Sequence, residues 1–448
     1  MELGVPKGPE FGRLKKGHSV QLPNGQMVHS SQVCGEGLEG TRVLITDCKA
    51  EEVSLYLERA KLDIENIYYI FYLADPGNVP ENLKHVLCDQ TYGNRSYIPL
   101  YPSACRNYAY NETFPHAFPK PIECRGFYPD RNLKGHSYPP LTKFYMHPIN
   151  SSIDTTEVLR ETFEDDMIKY SDIENVKKSK DSLPCTWEST DEYRFIFLGT
   201  GCSYPSVYRN VSAILLHMKN NSFLFDAGEG TILQLLRSSS DHKDFVSKLI
   251  SIRTIFISHS HADHHLGLYS LLAMQEHYRR DAMDDSVTTV IAPKTVYKFL
   301  TQYKERIMDI NYDFVYTGNS QVSVNGFLVD MFNVIHIEDS FGVKVSHPEI
   351  GKVVYSGDTR PCENLIRYAQ GVDFLIHEAT FTECDFDNAV KSNHSTFLEA
   401  LEIAKKCSVK TLILTHFSQR YQELGDARYN AILAHDLMSI PLKCGHNS

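Results

Sequence analysis

The sequence predicts a layered α/β fold for residues 191–448, in which helices cover β-sheets. Short apolar runs of strand length alternate there with amphipathic segments of helix length, and polar clusters directly follow several of the strands. Residues 151–190 are polar and charged, as expected of a linker. We therefore predict an amino-terminal domain at 1–150, a linker at 151–190 and a carboxyl-terminal domain at 191–448.

The individual elements of the carboxyl-terminal domain follow from its apolar patterning. The predicted strands are 194–198, 213–217, 223–225, 254–257, 289–292, 327–334, 353–356, 374–376 and 411–414. The predicted helices are 230–237, 267–279, 362–369 and 396–407. The last helix opens with Thr396 and Glu399 in the spacing of a capping box, in which each side chain satisfies a backbone N–H of the first turn.

Polar residues lie at the carboxyl ends of five predicted strands. The residues concerned are Asp226, His259, Asp358, Glu378 with His377, and His416. Side chains at strand ends are held by a rigid scaffold and commonly carry function. We therefore expect these clusters to form one site.

The densest of these clusters is Ser-His-Ser-His-Ala-Asp-His-His at 258–265, directly after the predicted strand 254–257. Its imidazoles and carboxylate are ligands that Zn²⁺ or Mn²⁺ accepts, and a two-metal site needs roughly seven of them. The expected ligands are His259, His261, Asp263, His264, His336, Asp358 and His416. His265 is expected to lie outside this set.

The expected ligands predict hydrolytic chemistry. Two metal ions about 3.5–4 Å apart hold a shared hydroxide and polarise a phosphoryl or acyl oxygen. Asp263 can accept a proton from the nucleophile, and Glu378 with His394 can form an oriented acid pair for the leaving group. This chemistry serves phosphoryl and acyl substrates alike.

Composition limits the remaining classes of protein. The net charge of −11 argues against indiscriminate binding to a phosphate backbone. No apolar run reaches about eighteen residues, so no membrane span is predicted. The eleven cysteines contain no C-x-x-C pair and predict reduced thiols of an intracellular protein, and no presequence is visible at the start.

The motifs resemble the metallo-β-lactamase superfamily and, within it, the tRNase Z family of tRNA 3′-processing endonucleases in its long form. The superfamily resemblance lies in H-x-H-x-D-H at 259–264, Gly-Asp at 357–358 and the late His416. The narrower resemblance lies in F-L-G-T-G at 197–201, Y-R-N-V-S at 208–212, D-A-G-E-G at 226–230, Y-S-G-D-T-R at 355–360, H-E-A-T at 377–380, H-S-T at 394–396 and H-F-S-Q-R-Y at 416–421.

This resemblance implies a metallo-β-lactamase αββα sandwich, preceded at 1–150 by a partial, degenerate copy of the same fold. The copy has no H-x-H-x-D-H motif and is expected to be catalytically silent. Because about 150 residues are short for a complete copy, the chain is expected to begin inside that domain.

The resemblance also implies roles for the site residues. One zinc ion would be held by His259, His261, His336 and Asp358, and the second by Asp263, His264, His416 and the shared Asp358. Asp263 would be the general base, and His394, oriented by Glu378, would protonate the leaving oxygen. Substrate contacts would come from Arg209, Asn210 and Thr396.

Two departures from the family pattern concern substrate binding. Val207 stands where the family's P-x-K-x-R-N loop has lysine, which puts discrimination against mature CCA ends in doubt. No basic, Gly/Pro-rich insertion typical of the family's tRNA-gripping arm is evident in 191–448. Together with the acidic net charge, this predicts weak, salt-sensitive binding of tRNA.

The resemblance implies a zinc-dependent endoribonuclease with two zinc ions per chain that cleaves the 3′ trailer from precursor tRNA and leaves a tRNA 3′-hydroxyl. The alternatives are another binuclear hydrolase of this fold, acting on small phosphodiesters or thioesters, and a truncated tRNA-binding scaffold without activity. The expected compartment is the nucleus or mitochondrion, with the cytoplasm as the alternative. A monomer is expected if the amino half is complete, and otherwise a homodimer.

Overall fold

The structure of the chain is a computed structural model. It describes residues 5, 9–33, 42–46, 50–60, 67–72, 85–87, 107, 110–111, 117–119, 136–137, 143–144, 153–154, 193–206, 208–318, 320–421 and 431–442. Most of the predicted linker at 151–190 and Val207 lie outside these residues.

The chain divides into two compact units. The first combines Met1–Arg95 with Tyr128–Leu159, and the second combines Ser96–Phe127 with Arg160–Ser448. Residues 96–127 therefore group with the carboxyl-terminal unit. The domain boundaries at 150 and 190 stay a prediction.

The first unit contains short elements and a parallel βαβ arrangement. Its helices are α1 (Pro9–Lys15), α2 (Ala50–Arg59) and a 3₁₀ turn (Ser30–Gln32). Its strands are β1 (Val20–Gln21), β2 (Met27–Val28), β3 (Arg42–Thr46), β4 (Ile67–Tyr72), β5 (His85–Leu87), β6 (His136–Ser137), β7 (Lys143–Phe144) and β8 (Ile153–Asp154). Strands β3 to β6 pair in parallel, and α2 connects the first two of them.

The second unit contains two seven-stranded sheets. The first sheet, in spatial order, consists of β14 (Tyr312–Tyr316), β13 (Thr288–Ala292), β12 (Ile252–Phe256), β11 (Ser222–Phe225), β10 (Ala213–His217), β9 (Arg194–Gly199) and β22 (Ser439–Pro441). The second consists of β15 (Gln321–Val324), β16 (Phe327–Asn333), β17 (Phe341–His347), β18 (Gly351–Tyr355), β19 (Phe374–Glu378), β20 (Thr411–Thr415) and β21 (Ile432–Leu433).

Both sheets have an antiparallel half and a parallel half. Strands β11 to β14 pair in parallel in the first sheet, as do β18 to β21 in the second. The helices of this unit are α3 (Thr231–Arg237), α4 (His242–Ser251), α5 (Ala262–His265), α6 (Leu268–Ala282), α7 (Lys294–Arg306), α8 (Glu363–Tyr368), α9 (Phe386–Ser392) and α10 (Phe397–Cys407), with a 3₁₀ turn at Glu383–Asp385.

Alternation along the strands produces the layers. In β9, Phe195 and Phe197 join the core between the two sheets, whereas Ile196 and Leu198 join the core beneath the helices. Successive side chains of a strand point to opposite faces, so a strand buried on both faces is apolar throughout. A separate core covers the outer face of the second sheet with α8 and α10. The predicted αββα sandwich is confirmed.

The predicted strands and helices of this unit are found within a few residues of their expected ends, but several elements were missed. The missed elements are the strands β14, β15, β17, β21 and β22 and the helices α4, α5, α7 and α9. Gly342 weakens the strand pattern of β17, yet a side chain there would meet the ring of Phe332 at 2.6 Å, so the close packing itself requires glycine. No described helix has both the length and the apolar character that a membrane crossing needs.

Candidate metal centre

All seven predicted metal ligands lie in the second unit, on segments that follow strands. His259 and His261 follow β12, Asp358 follows β18 and His416 follows β20. The one-turn helix α5 carries Asp263 and His264. The parallel strands of both sheets end at this edge, which is why residues far apart in sequence meet there.

Glycine holds the metal-binding turn close to the preceding strand. The N–H of Ala227 donates to the carbonyl of His264 at 2.8 Å, and the N–H of Gly267 donates to the carbonyl of Ala227 at 2.9 Å. A Cβ at Gly228 would lie 2.4 Å from the carbonyl oxygen of Asp263. Only glycine permits this approach of the two backbones, so the D-A-G-E-G segment positions the ligand turn.

The first ligand group consists of His259, His261, His336 and Asp358, whose ligand atoms all lie within 4.8 Å of one another. Nδ1 of His261 lies 3.0 Å from Nε2 of His259 and 3.1 Å from Nε2 of His336. Oδ2 of Asp358 is 3.6 Å from Nε2 of His259 and 3.8 Å from Nε2 of His336. Three imidazoles and one carboxylate therefore converge on one point.

The second ligand group consists of Asp263, His264 and His416, again within 4.8 Å. Nε2 of His264 lies 3.3 Å from Nε2 of His416, and Oδ2 of Asp263 lies 3.5 Å from the latter nitrogen. Asp358 faces this group as well, with Oδ2 3.2 Å from Nε2 of His264 and Oδ1 3.4 Å from Nε2 of His416. Its carboxylate is thus placed to serve both groups.

The chemistry of these donors fits divalent metal ions. Burial lowers the pKa of His259 well below its ordinary value and also lowers the pKa of His261 and His336, which keeps these imidazoles neutral as metal ligands must be. Oδ1 of Asp358 is buried and accepts no hydrogen bond from any residue that the structure describes. Buried carboxylate oxygens are rarely left without a partner, and a bound cation would supply one here.

Asp226 orients His264 from outside the ligand set. Its carboxylate is fully buried, and Oδ2 lies 2.7 Å from Nδ1 of His264. The same carboxylate accepts hydrogen bonds from the N–H and hydroxyl of Ser258 and from the hydroxyl of Tyr355 at 2.7 Å. With Nδ1 engaged, Nε2 faces the ligand group. The sequence placed Asp226 at a strand end but assigned it no role; an acid directly after a buried strand was the available signal.

Two more ligands are oriented by partners that sequence reasoning missed. Nδ1 of His416 lies 2.9 Å from the hydroxyl oxygen of Thr380, which itself donates to Oε2 of Glu378 at 2.6 Å. Nδ1 of His336 lies 3.0 Å from the carbonyl oxygen of Asn393. In each case the distal nitrogen, Nε2, is left to face the centre.

Glu378 and His394 form the predicted pair beside the two groups. Nδ1 of His394 lies 2.9 Å from Oε1 of the buried Glu378 and 4.0 Å from Oδ2 of Asp358. Burial acts to lower the pKa of His394, but the Glu378 carboxylate outweighs it and raises that pKa to about 9. A protonated imidazole with its Nδ1 engaged can donate a proton from Nε2.

Asp263 is held by the backbone of a second loop. Its Oδ2 accepts the N–H of Ser203 at 2.6 Å. Burial acts to raise the pKa of Asp263, but His264 and His416 outweigh it and lower the pKa, so the carboxylate is ionised. This loop therefore takes part in placing a ligand of the second group.

The three predicted substrate contacts are all buried. Arg209 is 3% exposed and Asn210 4% exposed, and both belong to the loop that precedes β10. Thr396 is 1% exposed and caps α10, with its hydroxyl accepting the N–H of Glu399 at 3.3 Å. Their assignment to substrate binding stays a prediction.

His265, expected outside the ligand set, contacts the carbonyl of Ser260 at 3.1 Å and the hydroxyl of Tyr269 at 3.0 Å.

Comparison with known proteins agrees with this architecture. Residues 221–417 match the β-lactamase superfamily domain. The chain is 27% identical to the mitochondrial tRNase Z TRZ3 of Arabidopsis thaliana, over 98% of this chain and 64% of that protein. It is 29% identical to ribonuclease Z 1 of Schizosaccharomyces pombe, over 95% of this chain and 58% of that protein. The chain thus spans about three fifths of the length of these relatives.

A solved structure extends the comparison to the fold. The crystal structure of a long form RNase Z from yeast superposes with a TM-score of 0.67 and 20% identity, covering 95% of this chain and 70% of that one. This match includes the amino-terminal region and is consistent with the predicted partial copy of the fold there. Residues 221–417 thus form a β-lactamase superfamily domain, and the chain is similar over most of its length to proteins named tRNase Z and ribonuclease Z.

Proposed function

We propose that the protein is a zinc-dependent endoribonuclease that cleaves the 3′ trailer from precursor tRNA and leaves a tRNA 3′-hydroxyl. The observation that carries this proposal is the placement of the Glu378–His394 pair beside Asp358, where the two ligand groups meet. Ligand groups alone would suit hydrolysis of many esters. A positioned acid adds the proton that a poor alkoxide leaving group, such as the ribose 3′-oxygen, requires.

The names of the relatives support the same substrate class. The Arabidopsis protein is named a tRNase Z, and the Schizosaccharomyces protein a ribonuclease Z. Their names also support a mitochondrial compartment, because two Arabidopsis relatives and a second Schizosaccharomyces relative are described as mitochondrial. Nuclear localisation and the oligomeric state, a monomer if the amino half is complete and otherwise a homodimer, are parts of this proposal that imaging and light scattering would test.

Each residue of the centre has a distinct task in the proposed reaction. Each ligand group would hold one zinc ion, and Asp358 would be shared between them. The first group consists of His259, His261 and His336, and the second of Asp263, His264 and His416. Bound zinc would supply an acidic water and polarise the phosphoryl oxygen. Asp263 accepts a proton from the attacking water while the oxygen of that water forms a bond to phosphorus. As the bond from phosphorus to the ribose 3′-oxygen breaks, Nε2 of His394 donates its proton to that oxygen.

The decisive experiment replaces Asp263 with alanine. The variant loses a metal ligand and the proton acceptor together, and we expect cleavage of a labelled precursor tRNA to fall by about 10³-fold or more. The 3′ end of the tRNA product is identified by its reaction with periodate, which requires a free 3′-hydroxyl. Asp313→Asn, at an exposed position of β14, is the matched control and should cleave like the wild type.

A purified Asp263→Ala protein that still processes precursor tRNA would show that the proposed mechanism is wrong. Parallel assays on bis-p-nitrophenyl phosphate and a thioester test the other hydrolases of this fold. Activity on the small substrates without any cleavage of precursor tRNA would contradict the proposed substrate. A wild-type protein that binds tRNA and neither holds zinc nor cleaves any of these substrates would instead be a scaffold.

A further inference from the structure

Asp436, between β21 and β22, is a buried carboxylate that no part of the metal centre accounts for. It is 4% exposed, and four donors surround it. Oδ1 accepts the N–H of Thr200 at 3.0 Å and the hydroxyl of Thr200 at 2.7 Å. Oδ2 accepts the N–H of Asn210 at 2.6 Å and the side-chain amide of Gln234 at 3.0 Å.

The direction of these hydrogen bonds requires a carboxylate. Nη1 of Arg209 donates to the hydroxyl oxygen of Thr200 at 2.6 Å, and because a guanidinium has no acceptor, the hydroxyl proton of Thr200 goes to Asp436. The other three partners are N–H donors. Asp436 therefore accepts four hydrogen bonds with two oxygens, which an ionised carboxylate can do and an asparagine cannot.

These contacts close a loop that reaches the metal centre. Thr200 and Asn210 stand at its two ends, and the N–H of Gly201 also donates to the carbonyl of Asn210 at 2.8 Å. Within the loop lies Ser203, whose N–H donates to Oδ2 of Asp263. We refer to the described residues 200–206 and 208–210 as the anchored loop.

The anchored loop also contacts the chain beside another ligand. The carbonyl of Thr200 accepts the N–H of Phe417 at 2.8 Å, directly after His416. The N–H of Cys202 donates to the carbonyl of the same Phe417 at 3.1 Å. Two of the three residues of the second ligand group, Asp263 and His416, are thus connected to the part of the chain that Asp436 holds.

We propose that Asp436 is a positioning residue of the metal centre: it fixes the anchored loop, so that Ser203 orients the Asp263 carboxylate and the second ligand group keeps its geometry. Arg209 and Asn210 act in the same assembly, through Thr200 and through a backbone N–H. Only the kinetic part of the test below rests on the proposed function, since metal affinity is measured independently of any substrate.

The test is a zinc titration of Asp436→Asn, followed with a competing chelator dye. The substitution is nearly isosteric but places an NH₂ group against N–H donors. We expect the affinity for one of two zinc ions to fall by about 10–100-fold while the other is retained, as for loss of an outer partner of a ligand. On precursor tRNA, kcat should fall in parallel with little change in KM.

Two further variants separate positioning from general destabilisation. Thr200→Val is isosteric and removes only the hydroxyl, so it should fold and give a smaller loss of the same zinc affinity. Leu300→Ala removes a side chain of α7 that joins the core beneath the helices. It destabilises the fold without touching the anchored loop and should bind both zinc ions normally.

The proposal is overturned if Asp436→Asn and Thr200→Val bind zinc like the wild type, or if Leu300→Ala loses zinc to the same extent. Should Asp436→Asn not fold, Thr200→Val alone decides by the same criterion. A wild type that holds two zinc ions and cleaves no precursor tRNA would contradict the proposed function, while the zinc titration would still decide the role of Asp436.

Discussion

At the scale of single residues, the candidate metal centre depends on groups outside the ligand set. Asp226, Thr380 and the carbonyl of Asn393 each engage Nδ1 of a ligand histidine, and so determine which nitrogen faces the centre. Imidazole can present either nitrogen, and a fixed partner removes that freedom before the ion arrives. Metal affinity is therefore set by these partners as well as by the ligands.

Asp226→Asn tests this at its strongest contact. Asp226 accepts four hydrogen bonds with its two carboxylate oxygens. Asparagine replaces one of these oxygens with an NH₂ group, which cannot accept a hydrogen bond, so we expect His264 to lose its fixed orientation. We expect zinc affinity to fall by about 10–100-fold, measured by competition with a chelator. Tyr355→Phe removes one of these bonds without disturbing His264 and should have a smaller effect. Equal affinities in Asp226→Asn and the wild type would contradict this role.

At the scale of elements, the cap of α10 lies two positions after the predicted acid His394. Thr396 caps this helix, and Oε2 of Glu399 accepts a hydrogen bond from the N–H of Thr396 at 2.9 Å. Arg360 joins Glu399 in an ion pair and donates to the carbonyl of His394 at 2.6 Å. The start of the helix and the placement of His394 are therefore one structural unit.

Thr396→Ala should lower the free energy of unfolding by about 1 kcal/mol, because the N–H of Glu399 loses its cap. Chemical denaturation measures the loss, and Thr396→Ser, which retains the hydroxyl, should restore it. If Thr396 also contacts the substrate, the same variants should differ in their KM for precursor tRNA. A KM for precursor tRNA that rises in Thr396→Ala and recovers in Thr396→Ser would support that contact, whereas unchanged KM would restrict Thr396 to capping.

At the scale of the whole molecule, the two sheets of the second unit bring their parallel halves to one edge, and the ligands follow. The opposite ends of β9 and β10 carry Arg194 and His217, which are paired in register. Burial lowers the pKa of His217 to about 4, and Lys248 and Arg194 act in the same direction. This histidine links the stability of the folded unit to pH at a distance from the metal centre.

The sign of that link is fixed by the lowered pKa. The unfolded chain binds a proton at His217 below its ordinary pKa of 6.5, whereas the folded chain does so only near pH 4. The contribution of neutral His217 to the free energy of unfolding is therefore complete above pH 6.5 and is lost as pH falls from 6.5 to 4.

His217→Gln removes this proton site. As pH falls from 7 to 4, the free energy of unfolding of the wild type should therefore decrease by about 2–3 kcal/mol more than that of the variant. Urea denaturation across that range, with His277→Gln at an exposed position as the matched substitution, measures the difference. Parallel stability curves for the wild type and His217→Gln would contradict it.

Much of the fold and centre was predictable because its signals are local. A buried strand ending in H-x-H-x-D-H, the Thr396–Glu399 capping spacing and the alternation within β9 each occupy about ten residues or fewer, where periodicity and ligand chemistry can be recognised. Four of the seven predicted ligands lie in that one segment, the other three follow further strands, and the resemblance supplied their grouping. The structure brings these seven side chains close together.

Elements with weaker local patterns were not predictable in the same way. The charged surface of α7 and the glycine in β17 hide their periodicity, and β21 and β22 are too short to show any. Their assignment depends on the neighbours against which they pack. Strand β22, for example, is defined by its pairing with β9 from the other end of the unit.

By itself the sequence indicated the types of the candidate ligands, their strand-end positions and a layered α/β domain, because these depend on residue chemistry and on spacing within short segments. The αββα order of the layers came from the family resemblance. Only the tertiary structure decided that Asp226 orients His264, that Arg209 and Asn210 lie buried, and that Asp436 holds the loop beside Asp263. Asp436 and Asn210 are 226 positions apart. A hydrogen bond across that separation leaves no periodic trace in the chain and exists only once the two sheets have formed.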